Sequence, residues 1–598
     1  MMLSLLKNKT DNNSSNILLN KTVTRLYFTF LISALTMNIC SLIDGLCTSV
    51  FVGVNGVAAV GIIAPVQPLT WMIINTMGKG GLVVAGQKLG KGDTGSAKEI
   101  FNFIFFTEII IGILYGAVLF IFARPMSIMM GAEGDIISLA FSYLRGLAFG
   151  YPFLITYGIL MHFSSFDGGE KNRLAAVISM TVTDIACNFI FAKILGLGMF
   201  GLGLATSVGY IAGFICMFPP YLIKEHIVYL DPKSADPGYL GEILKKGIAE
   251  GYFEICNFLY PVIVNNILMH YGGSVLVSIM AVTNFVKGTL DSICWAEGDT
   301  CVSLGSFFFG EEDSKALIRL SKNALFKAVT VDIILSGLVI AFIRPITEAM
   351  SGGSAEVSSY AGYAIICYLI SLLLLLVSDN FAKLYLAQGK SLVVSIYNML
   401  CYFILPLIMA IIFIPNLKAD LIWLYLPAAQ LAVLLILYLS VAFKSRKMIP
   451  SYEDFVTLGS PFEINENDRL ALSVHTKEES VNVSSRVVSF INEHRLSQKT
   501  AYYSGLAVEE MTMNILKHGY NNKKGKAPGI AVRVIYNDGG VTIKIRDNGR
   551  DFNPEKYASQ FTNEDPTKNI GIKLTAAISD EMTYKNVFHL NMLSIKLS

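Results

Sequence analysis

Long apolar stretches alternate with short polar ones over the first 445 residues. An α-helix needs about 20 consecutive apolar residues to cross the hydrocarbon core of a bilayer. Twelve stretches of suitable length lie at roughly 23–47, 57–85, 101–122, 136–162, 174–196, 199–223, 248–270, 275–300, 323–343, 357–386, 392–414 and 421–443. The pattern therefore predicts a polytopic α-helical membrane protein with twelve transmembrane (TM) helices.

The composition agrees with this pattern. Of the 598 residues, 53% are hydrophobic and 15% are charged, whereas about 25% are charged in a typical soluble domain. The nine cysteines all lie in the apolar part and form no CxxC pair, as expected of small buried hydrophobic residues. A net charge of +2 gives no electrostatic signal for nucleic acid. We expect the lipid bilayer and a small-molecule substrate as partners, and no nucleic acid.

An internal repeat divides the apolar part into two six-helix units. Residues 90–98 (GKGDTGSAK) align with residues 310–318 (GEEDSKALI) at an offset of 220. The same offset pairs Phe122, Arg124, Pro125 and Gly169 with Phe342, Arg344, Pro345 and Gly389. Six helices per unit preserve the orientation in the membrane, so the copies are parallel repeats. Transporters built in this way bind their substrates between the two halves.

The distribution of lysine and arginine predicts the topology, because these residues accumulate in cytoplasmic loops. One set of alternate loops carries Lys88, Lys91, Lys98, Lys171, Arg173, Lys224, Lys233, Lys245, Lys246, Lys315, Arg319, Lys322, Lys383 and Lys390. The opposite loops carry little beyond Arg124, Arg344 and Lys418. We therefore expect a multi-pass protein of the plasma membrane with both termini in the cytoplasm.

Asp44 is the single carboxylate in the apolar run of residues 37–61, MNICSLIDGLCTSVFVGVNGVAAVG. A charged Asp at the centre of a spanning helix costs roughly 3 kcal/mol on insertion scales, so such residues usually face a bundle interior or an aqueous cavity. The alternative is a structural Asp hydrogen-bonded to a neighbouring helix. Among the other charges, Lys287 and Asp291 are expected to neutralise each other, and Glu297 and Asp299 to be solvated.

Several segments resemble the multidrug and toxic compound extrusion (MATE) family. They are LIDGLCTSVFVG (42–53), GVAAVG (56–61), GQKLGKGD (86–93) and GLGMFGLGLATS (196–207). The resemblance covers residues 20–445. It implies a V-shaped bundle of two six-helix lobes, 23–223 and 248–445, joined by a cytoplasmic loop at 224–247. It also implies export of drugs or other small organic compounds by antiport with H⁺ or Na⁺.

The same resemblance implies two groups of cation- or substrate-binding residues. Asp44 matches the acid of the first span, and Asp184 and Asn188 (in TDIACN) match polar residues of the fifth. Their spacing of four places Asp184 and Asn188 on one helix face. Glu254 and Asp379 resemble the acids of a second cation site in the C-terminal lobe. Asp184 precedes Asn188, whereas the reverse order is commoner in the family, and the coupling ion stays open.

The composition changes after residue 445. Residues 446–470 are interpreted as a linker and residues 471–598 as a soluble α/β domain, with residues 1–22 as a cytoplasmic tail at the other end. Within the domain, helices are expected at 477–495 and 498–519. GIAVRVIY and VTIKIR flank a turn and alternate as a β-hairpin, and LNMLSIKLS is expected to complete the sheet.

Two constellations in this domain point to nucleotide chemistry. Glu510, Asn514 and His518 lie along one helix face, and Asp547 and Gly549 follow the hairpin in DNGRDFNP. Together they resemble the N box and first glycine box of Bergerat-fold (histidine-kinase-like) ATPases, especially anti-sigma-factor serine kinases. The residues suit ATP with Mg²⁺.

Each residue then has an expected role. The Asn514 amide oxygen can ligate Mg²⁺ and Glu510 can act as general base. Asp547 can accept a hydrogen bond from the adenine amino group, and Gly549 lets the backbone approach the ring. Gly571 is the one glycine at the position of the family's second box. We therefore expect adenine binding to be better supported than phosphate binding.

Three functions compete at this point. The first is a cation-coupled exporter whose tail senses ATP or a cytoplasmic regulatory protein. The second is a membrane signalling protein in which the MATE-like part senses a ligand and the tail is a serine kinase or partner-binding switch. The third is a flippase for lipid-linked precursors. We favour the first, because the acids and the repeat are intact. The tail contains no GxxxxGK[ST] loop, which argues against direct ATP-driven pumping.

Overall fold

The computed structural model describes residues 13–351, 354–418, 420–460, 462, 466–520, 529–537, 539–554 and 570–598. They form two compact units. The larger, helical unit comprises Thr24–Ser165 and Gly169–Ser460. The smaller unit comprises the described residues of Met1–Val23, Phe166–Gly168 and Pro461–Ser598.

Helices account for most of the first 223 residues. Their bounds are α1 Asn13–Phe51, α2 Val54–Ile63, α3 Val66–Lys91, α4 Thr94–Ile121, α5 Ala123–Met129, α6 Asp135–Ala148, α7 Tyr151–Phe163, α8 Glu170–Asn188 and α9 Gly198–Met217. A π-helical turn, Phe189–Ile194, extends α8 directly after Asn188.

The second half of the helical unit follows three short 3₁₀ turns. Its helices are α10 Leu240–Gly310, α11 Ser314–Ala341, α12 Ile343–Met350, α13 Ala355–Ala387, α14 Ser391–Met399, α15 Leu405–Asn416, α16 Tyr425–Ser445 and α17 Tyr452–Thr457. A second π-helical turn, Leu400–Ile404, joins α14 to α15.

The described residues contain ten helices long and apolar enough to cross a membrane, or eleven if the bent pair α6 and α7 is one span. The longest of them, α10, has 71 residues and is interrupted at Gly273, whose φ of 61° and ψ of −154° are not helical. Counting the two parts of α10 separately gives the twelve segments expected from the hydropathy pattern. The structure thus confirms the expected polytopic helical fold.

The repeat is visible in local structure as well as in sequence. Asp93 caps α4 by accepting a hydrogen bond from the Ser96 backbone N–H at 2.9 Å. At the same place in the second copy, Asp313 caps α11 by accepting from the Ala316 N–H at 3.0 Å. Such caps satisfy backbone donors that have no partner within the helix. The offset of 220 therefore relates equivalent helix starts.

Glycines bring the two halves of the helical unit into backbone contact at their lysine-rich end. A β-carbon at Gly80 of α3 would collide with the carbonyl oxygen of Ile243 in α10. A β-carbon at Gly90 would collide with the carbonyl oxygen of Phe307, at the other end of α10. Small residues allow helices in a membrane to approach this closely. We call this contact, between residues 80–90 of α3 and both ends of α10, the glycine seam.

The stretch interpreted as a free linker contains a helix that packs on the helical unit. Helix α17 begins with a capping box, in which Ser451 and Asp454 exchange hydrogen bonds. The Tyr452 hydroxyl lies 2.7 Å from Ser321 Oγ, and the Tyr385 hydroxyl donates to the Phe455 carbonyl at 2.6 Å. The expected linker of 446–470 is therefore too long, because residues up to 460 belong to the larger unit.

Lys390 holds the C-terminal end of α17. Its amine donates to the carbonyl oxygens of Thr457 and Leu458. Burial, together with the neighbouring Lys444, lowers the pKa of Lys390 to about 7. This amine, outside the spanning segments, is therefore only partly protonated at neutral pH.

The smaller unit contains a five-stranded antiparallel sheet in the order β1-β2-β3-β5-β4. The strands are β1 Arg469–Val474, β2 Ile530–Asn537, β3 Gly540–Asp547, β4 Glu581–Val587 and β5 Leu590–Leu597. The helices are α18 Lys477–Glu493, α19 Gln498–Asn514 and α20 Ile570–Ile578. The expected helices, hairpin and final strand are all present, whereas β1, β4 and α20 were not expected.

One face of the sheet carries the hydrophobic core. In register, Leu472, Val532, Ile545 and Leu593 form a row across β1, β2, β3 and β5. All four are buried in one cluster with apolar residues of α18 and α19, including Val487 and Val508. Because side chains alternate along a strand, the same face receives Asp547 at the end of β3. The core thus fixes the direction of this carboxylate.

Candidate functional site

The three polar residues expected in the N-terminal half meet between α1 and α8. The Asn188 amide donates to Asp44 Oδ1 at 2.8 Å. The Cys40 thiol, one turn before Asp44, donates to Asp184 Oδ2 at 3.3 Å. One ligand atom each of Cys40, Asp44 and Asp184 lie within 4.8 Å of one another. We call these four residues the N-half cluster.

The two carboxylates of the N-half cluster, Asp44 and Asp184, lie too close together for both to be charged without a proton or cation between them. Two carboxylate charges within 4.8 Å of each other repel by roughly 3 kcal/mol or more at an effective dielectric constant of about 20. Among the described residues, no lysine or arginine forms a salt bridge with either acid, and Asp184 Oδ1 is buried without a hydrogen-bond partner. A proton or a bound cation is therefore needed for both oxygens to stay close.

Glu254 and Asp379 line one cavity of about 260 Å³ between α1, α3, α7, α8, α10 and α13. Glu254 accepts a hydrogen bond from the Asn75 amide at 3.0 Å, and Asp379 accepts one from the Tyr402 hydroxyl at 3.3 Å. The cavity is also lined by the aromatic side chains of Phe30, Trp71, Phe253, Trp295 and Tyr402. The two expected acids therefore share one cavity between the halves of the repeat.

A chain of buried charges, absent from our expectations, surrounds these acids. Glu250 is fully buried and accepts from Lys79 at 2.9 Å and from Lys383 at 2.8 Å. Lys79 also lies 3.4 Å from Asp299, which is 3.6 Å from Arg173. We call these five residues the central charge chain. It brings cations from the first half and from α13 against acids of α10.

Three sequence interpretations are corrected here. Lys383 is not a loop residue, because it lies inside α13 and is buried, so it drops out of the topology argument. Glu297 is not solvated but fully buried, where it accepts from the Asn380 amide at 2.5 Å. Asp299 is only slightly exposed and forms a salt bridge with Lys79.

Lys287 and Asp291 form the expected ion pair, and Tyr368 also donates to Asp291, at 2.7 Å.

The smaller unit has its own cavity, of about 420 Å³, beside the end of α19. Its lining includes the expected residues Asn514, His518 and Asp547, together with Met511, Ile515, Gly519, Arg550, Asp551, Phe552, Pro554, Ile572, Tyr584, Asn591 and Leu593. An apolar floor with a few inward-pointing polar groups is typical of a small-molecule site. The sequence-derived motifs thus converge on one concave surface.

Asp547 is held in a fixed orientation within this cavity. Its Oδ1 accepts from the Gly549 backbone N–H at 2.7 Å and from the Asn591 amide at 2.9 Å. Asn591 lies directly opposite Asp547 on β5. Because both donors bind the same oxygen, the carboxylate cannot rotate freely. Asn591 was not singled out from the sequence, although an Asn in the otherwise apolar start of β5 was a signal for it.

The helix end that carries Asn514 is irregular. Helix α19 passes directly into a π-helical turn, Ile515–Gly519, and such turns are frequent at functional sites. The Arg550 backbone N–H donates to the Gly519 carbonyl at 2.9 Å, which fixes the loop after β3 to this turn. Asn514 and Asp547 therefore face one cavity from two connected elements.

Glu510 and Gly571 contact each other rather than lining the cavity. A β-carbon at Gly571 would collide with Glu510 Oε2. Gly571 is the second residue of α20, so the role that can be assigned here is close packing of α20 on α19. Residue Asn569, two positions before Gly571 in the segment NIGI, lies outside the described residues. Glu510 as general base and Gly571 as a phosphate-binding residue stay predictions.

Tyr520 directly follows the π-helical turn whose residues line this cavity. Its hydroxyl can donate to either of two acceptors, Asn548 Oδ1 at 3.1 Å or the Gly529 carbonyl at 3.3 Å. Burial, and secondarily the charge of Asp547, raise the pKa of Tyr520 to about 12. The phenol therefore stays protonated and acts as a hydrogen-bond donor at physiological pH.

Two protein-family models match separate parts of the chain. Residues 30–194 match the MatE family, and residues 475–597 match the family described as histidine kinase-like ATPase domain. The first match contains Asp44, Asp184 and Asn188, and the second contains Asn514 and Asp547. Apart from Phe166–Gly168, the first range lies in the larger unit, and the second range lies in the smaller unit.

Two similar curated proteins are bacterial. The multidrug export protein MepA of Staphylococcus aureus (strain MSSA476) is 23% identical over 244 residues, which cover 40% of this chain and 54% of that protein. The probable multidrug resistance protein YoeA of Bacillus subtilis (strain 168) is 24% identical over 255 residues, which cover 41% and 55%. The chain thus spans about half the length of these relatives.

Solved structures share the fold of the helical unit. A multidrug resistance MATE family transporter of the MOP superfamily, in an outward-facing conformation, has a TM-score of 0.65 at 18% identity and covers 70% of this chain and 94% of its own. A variant of the Vibrio cholerae MATE transporter VcmN has a TM-score of 0.66 at 17% identity, with 71% and 97% covered.

Proposed function

Since the chain carries a MatE domain followed by a histidine kinase-like ATPase domain, we propose that it exports small organic compounds by antiport with H⁺ or Na⁺ and that the tail binds ATP to regulate this export. Each part of the proposal rests on one arrangement of side chains.

The N-half cluster is the observation that carries the coupling role. Asp44 and Asp184 approach each other inside a membrane-spanning bundle, and no basic side chain among the described residues forms a salt bridge with them. Such a pair binds a proton or Na⁺ and releases it when the surroundings change. Asn188 holds Asp44 in place through the 2.8 Å hydrogen bond. The cluster therefore suits exchange of a small cation against a substrate.

The cavity between the halves is the proposed substrate site. Glu254 and Asp379 have neutral hydrogen-bond partners, whereas Glu250 and Asp299 are engaged by lysine and arginine. The first two acids are thus available to a positively charged ligand, and Trp71 and Trp295 offer aromatic faces to it. We propose amphiphilic organic cations as the substrate class.

Transport into everted membrane vesicles tests this proposal directly. With the full chain present, an imposed proton or sodium gradient should drive accumulation of a fluorescent organic cation, and collapse of the gradient should release it. Asp44→Asn should abolish accumulation at equal expression, whereas the exposed Asp135→Asn should not. Gradient-independent accumulation, or full activity of Asp44→Asn, would refute cation coupling and favour a sensor.

The tail cavity supports binding of ATP with Mg²⁺. Asp547 would accept the adenine amino group, and the Asn514 amide oxygen would ligate the metal ion. The two donors on Asp547 Oδ1 fix the carboxylate, so its direction is set before a ligand arrives. Bound ATP supplies a triphosphate whose charge can order nearby segments, which suits a regulatory switch.

Nucleotide binding can be measured on the full-length protein with a fluorescent ATP analogue. Asn514→Ala should remove the magnesium-dependent part of the affinity, and Asp547→Asn should weaken ATP binding more than GTP binding. Matched surface controls are Asn492→Ala and Asp580→Asn, both at exposed positions. Unchanged affinity in both site variants would exclude this cavity as the nucleotide site.

Regulation by the tail needs a separate comparison. A chain ending at Ser460 keeps helix α17 in place and removes the nucleotide domain. We expect vesicle transport by this truncated chain to be insensitive to ATP, and transport by the full chain to change with ATP on the tail side. An identical ATP response in both chains would contradict a regulatory role of the tail.

A further inference from the structure

The N-half cluster contains one group that a proton or sodium site does not require, the Cys40 thiol. Carboxylate and amide oxygens suffice for hard cations, whereas sulfur favours softer metal ions. Cys40 is buried, and its sulfur lies 3.3 Å from Asp184 Oδ2. The simpler interpretation is a small packing residue with a weak hydrogen bond. Two further observations favour a ligand.

The first observation is the geometry of the donor set. Cys40 Sγ and one oxygen each of Asp44 and Asp184 lie within 4.8 Å of one another. Zinc–sulfur and zinc–oxygen bonds of about 2.3 and 2.1 Å place two tetrahedral ligands about 3.6 Å apart. The sulfur and Asp184 Oδ2 are 3.3 Å apart, close to this spacing, and an oxygen of Asp44 lies within 4.8 Å of both ligand atoms.

The second observation is an unused oxygen. Asp184 is only 1% exposed, yet its Oδ1 has no hydrogen-bond partner in the described part of the chain. A buried carboxylate oxygen without a partner is costly. A metal ion bound by both oxygens of Asp184 would satisfy Oδ1 as well as Oδ2. The charges also suit a divalent ion. Two carboxylates and a thiolate carry three negative charges, and a divalent ion neutralises two of them, whereas a monovalent ion neutralises one.

We propose that Cys40, Asp44 and Asp184 form a binding site for a thiophilic divalent cation such as Zn²⁺ or Cd²⁺, and that the bound ion blocks cation coupling. The blocking effect rests on the proposed transport function, whereas the binding does not. When the ion binds, the metal–sulfur bond forms and the thiol proton is released to solvent. Any proton shared by the two carboxylates leaves with it.

Cadmium titration of the purified full-length protein tests the binding alone. Cd²⁺ should produce the near-ultraviolet absorption of a thiolate–cadmium bond, which EDTA should reverse. Cys40→Ser should lower the affinity for this site by roughly ten- to a hundredfold or more, since even supporting residues of metal sites have effects of that size. Cys47→Ser and Cys187→Ser, at positions outside the cluster on the same two helices, should keep it.

Transport in vesicles then tests the consequence. Micromolar Cd²⁺ should inhibit the parent chain and the Cys47→Ser variant, and each variant is compared with its own metal-free rate. Cys40→Ser and Cys40→Ala should both lose this sensitivity, so that one misfolded variant does not decide the result. Equal sensitivity or equal absorption with and without Cys40 would overturn the proposal. A chain that binds Cd²⁺ through Cys40 but transports nothing would instead refute the proposed function.

Discussion

The N-half cluster and the central charge chain, both in the helical unit, differ in what neutralises their acids. In the N-half cluster, Asp44 accepts a hydrogen bond from the Asn188 amide and Asp184 accepts one from the Cys40 thiol, and both donors are uncharged groups. In the central charge chain, Glu250 lies between Lys79 and Lys383. The first group needs a cation from outside, whereas the second is neutralised by the protein itself.

This difference leads us to expect a functional role for the acids of the N-half cluster and a structural role for Glu250. Removing one member of a buried ion pair leaves an uncompensated charge and is strongly destabilising. Removing one of two like charges relieves repulsion. Substitutions that neutralise an acid should therefore change stability with opposite signs in the two groups, which the following predictions use.

We expect the largest effect on stability from Glu250→Gln. The substitution removes the acid that Lys79 shares with the buried Lys383, and it should lower the free energy of unfolding by about 3–5 kcal/mol. Thermal unfolding of the full chain in detergent is the measurement. Glu242→Gln, on the same helix at an exposed i,i+4 pair with Lys246, should cost far less. If Glu250→Gln unfolds like the parent, the ion chain is not what stabilises this region.

Neutralising the N-half cluster should leave stability intact while transport is lost. Asp44→Asn or Asp184→Asn removes one of two neighbouring charges, so the unfolding temperature should stay equal or rise. Gradient-driven transport should fall to background, because the exchangeable cation loses its site. Both quantities are measured on the same preparations. A marked fall in unfolding temperature would assign Asp44 a structural role instead.

A weaker effect is expected from Glu254→Gln combined with Asp379→Asn. These acids line the central cavity, and in the described part of the chain neither forms a salt bridge with Lys79 or Lys383, which pair with Glu250. We expect the affinity for the substrate to weaken, and with it any dependence of transport on a cation bound at the second site in the C-terminal lobe. Stability should change little. Initial transport rates, measured first at varied substrate concentration and then at varied cation concentration, separate these two effects. Unchanged dependence on both would remove these residues from the site.

The smallest effects should come from the two asparagines that donate to an acid. Asn188→Ala removes the donor to Asp44, and Asn75→Ala removes the donor to Glu254. Each loses a hydrogen bond to a carboxyl group, worth about 1–3 kcal/mol when the acid is charged. Asn188→Ala should shift the cation concentration for half-maximal transport, whereas Asn75→Ala should shift that of the substrate. Identical shifts would show that the two groups are one functional site.

Some of this arrangement was predictable because it depends on local spacing. The spacing of four between Asp184 and Asn188 placed both on one helix face, and the alternation of VTIKIR gave the strand that ends at Asp547. The aspartate at equivalent positions of the two repeats gave matching helix caps. In each case the residues that interact, or that end the element, lie within a few positions of the sequence pattern that predicts them.

The remainder depends on contacts between distant segments. Lys383 resembled a loop lysine, because hydropathy does not show that Glu250 lies within 3 Å of it. Strand β4, EMTYKNV, is too polar to stand out and is recognised only through its pairing with β5. Helix α17 is too short for a periodic pattern, and its capping box and tertiary hydrogen bonds define it.

In the glycine seam, substitution by alanine has the opposite effect from that in an ordinary alanine scan. At most positions an alanine removes atoms, but at Gly80 or Gly90 it adds a methyl group where a facing backbone carbonyl leaves no space. The nearest neighbours of the added carbon are backbone atoms, so it disfavours this close approach of α3 to α10 and removes no charged side chain. Trapping one conformation for structural study or inhibitor screening therefore requires only one carbon atom, with every titratable group left in place.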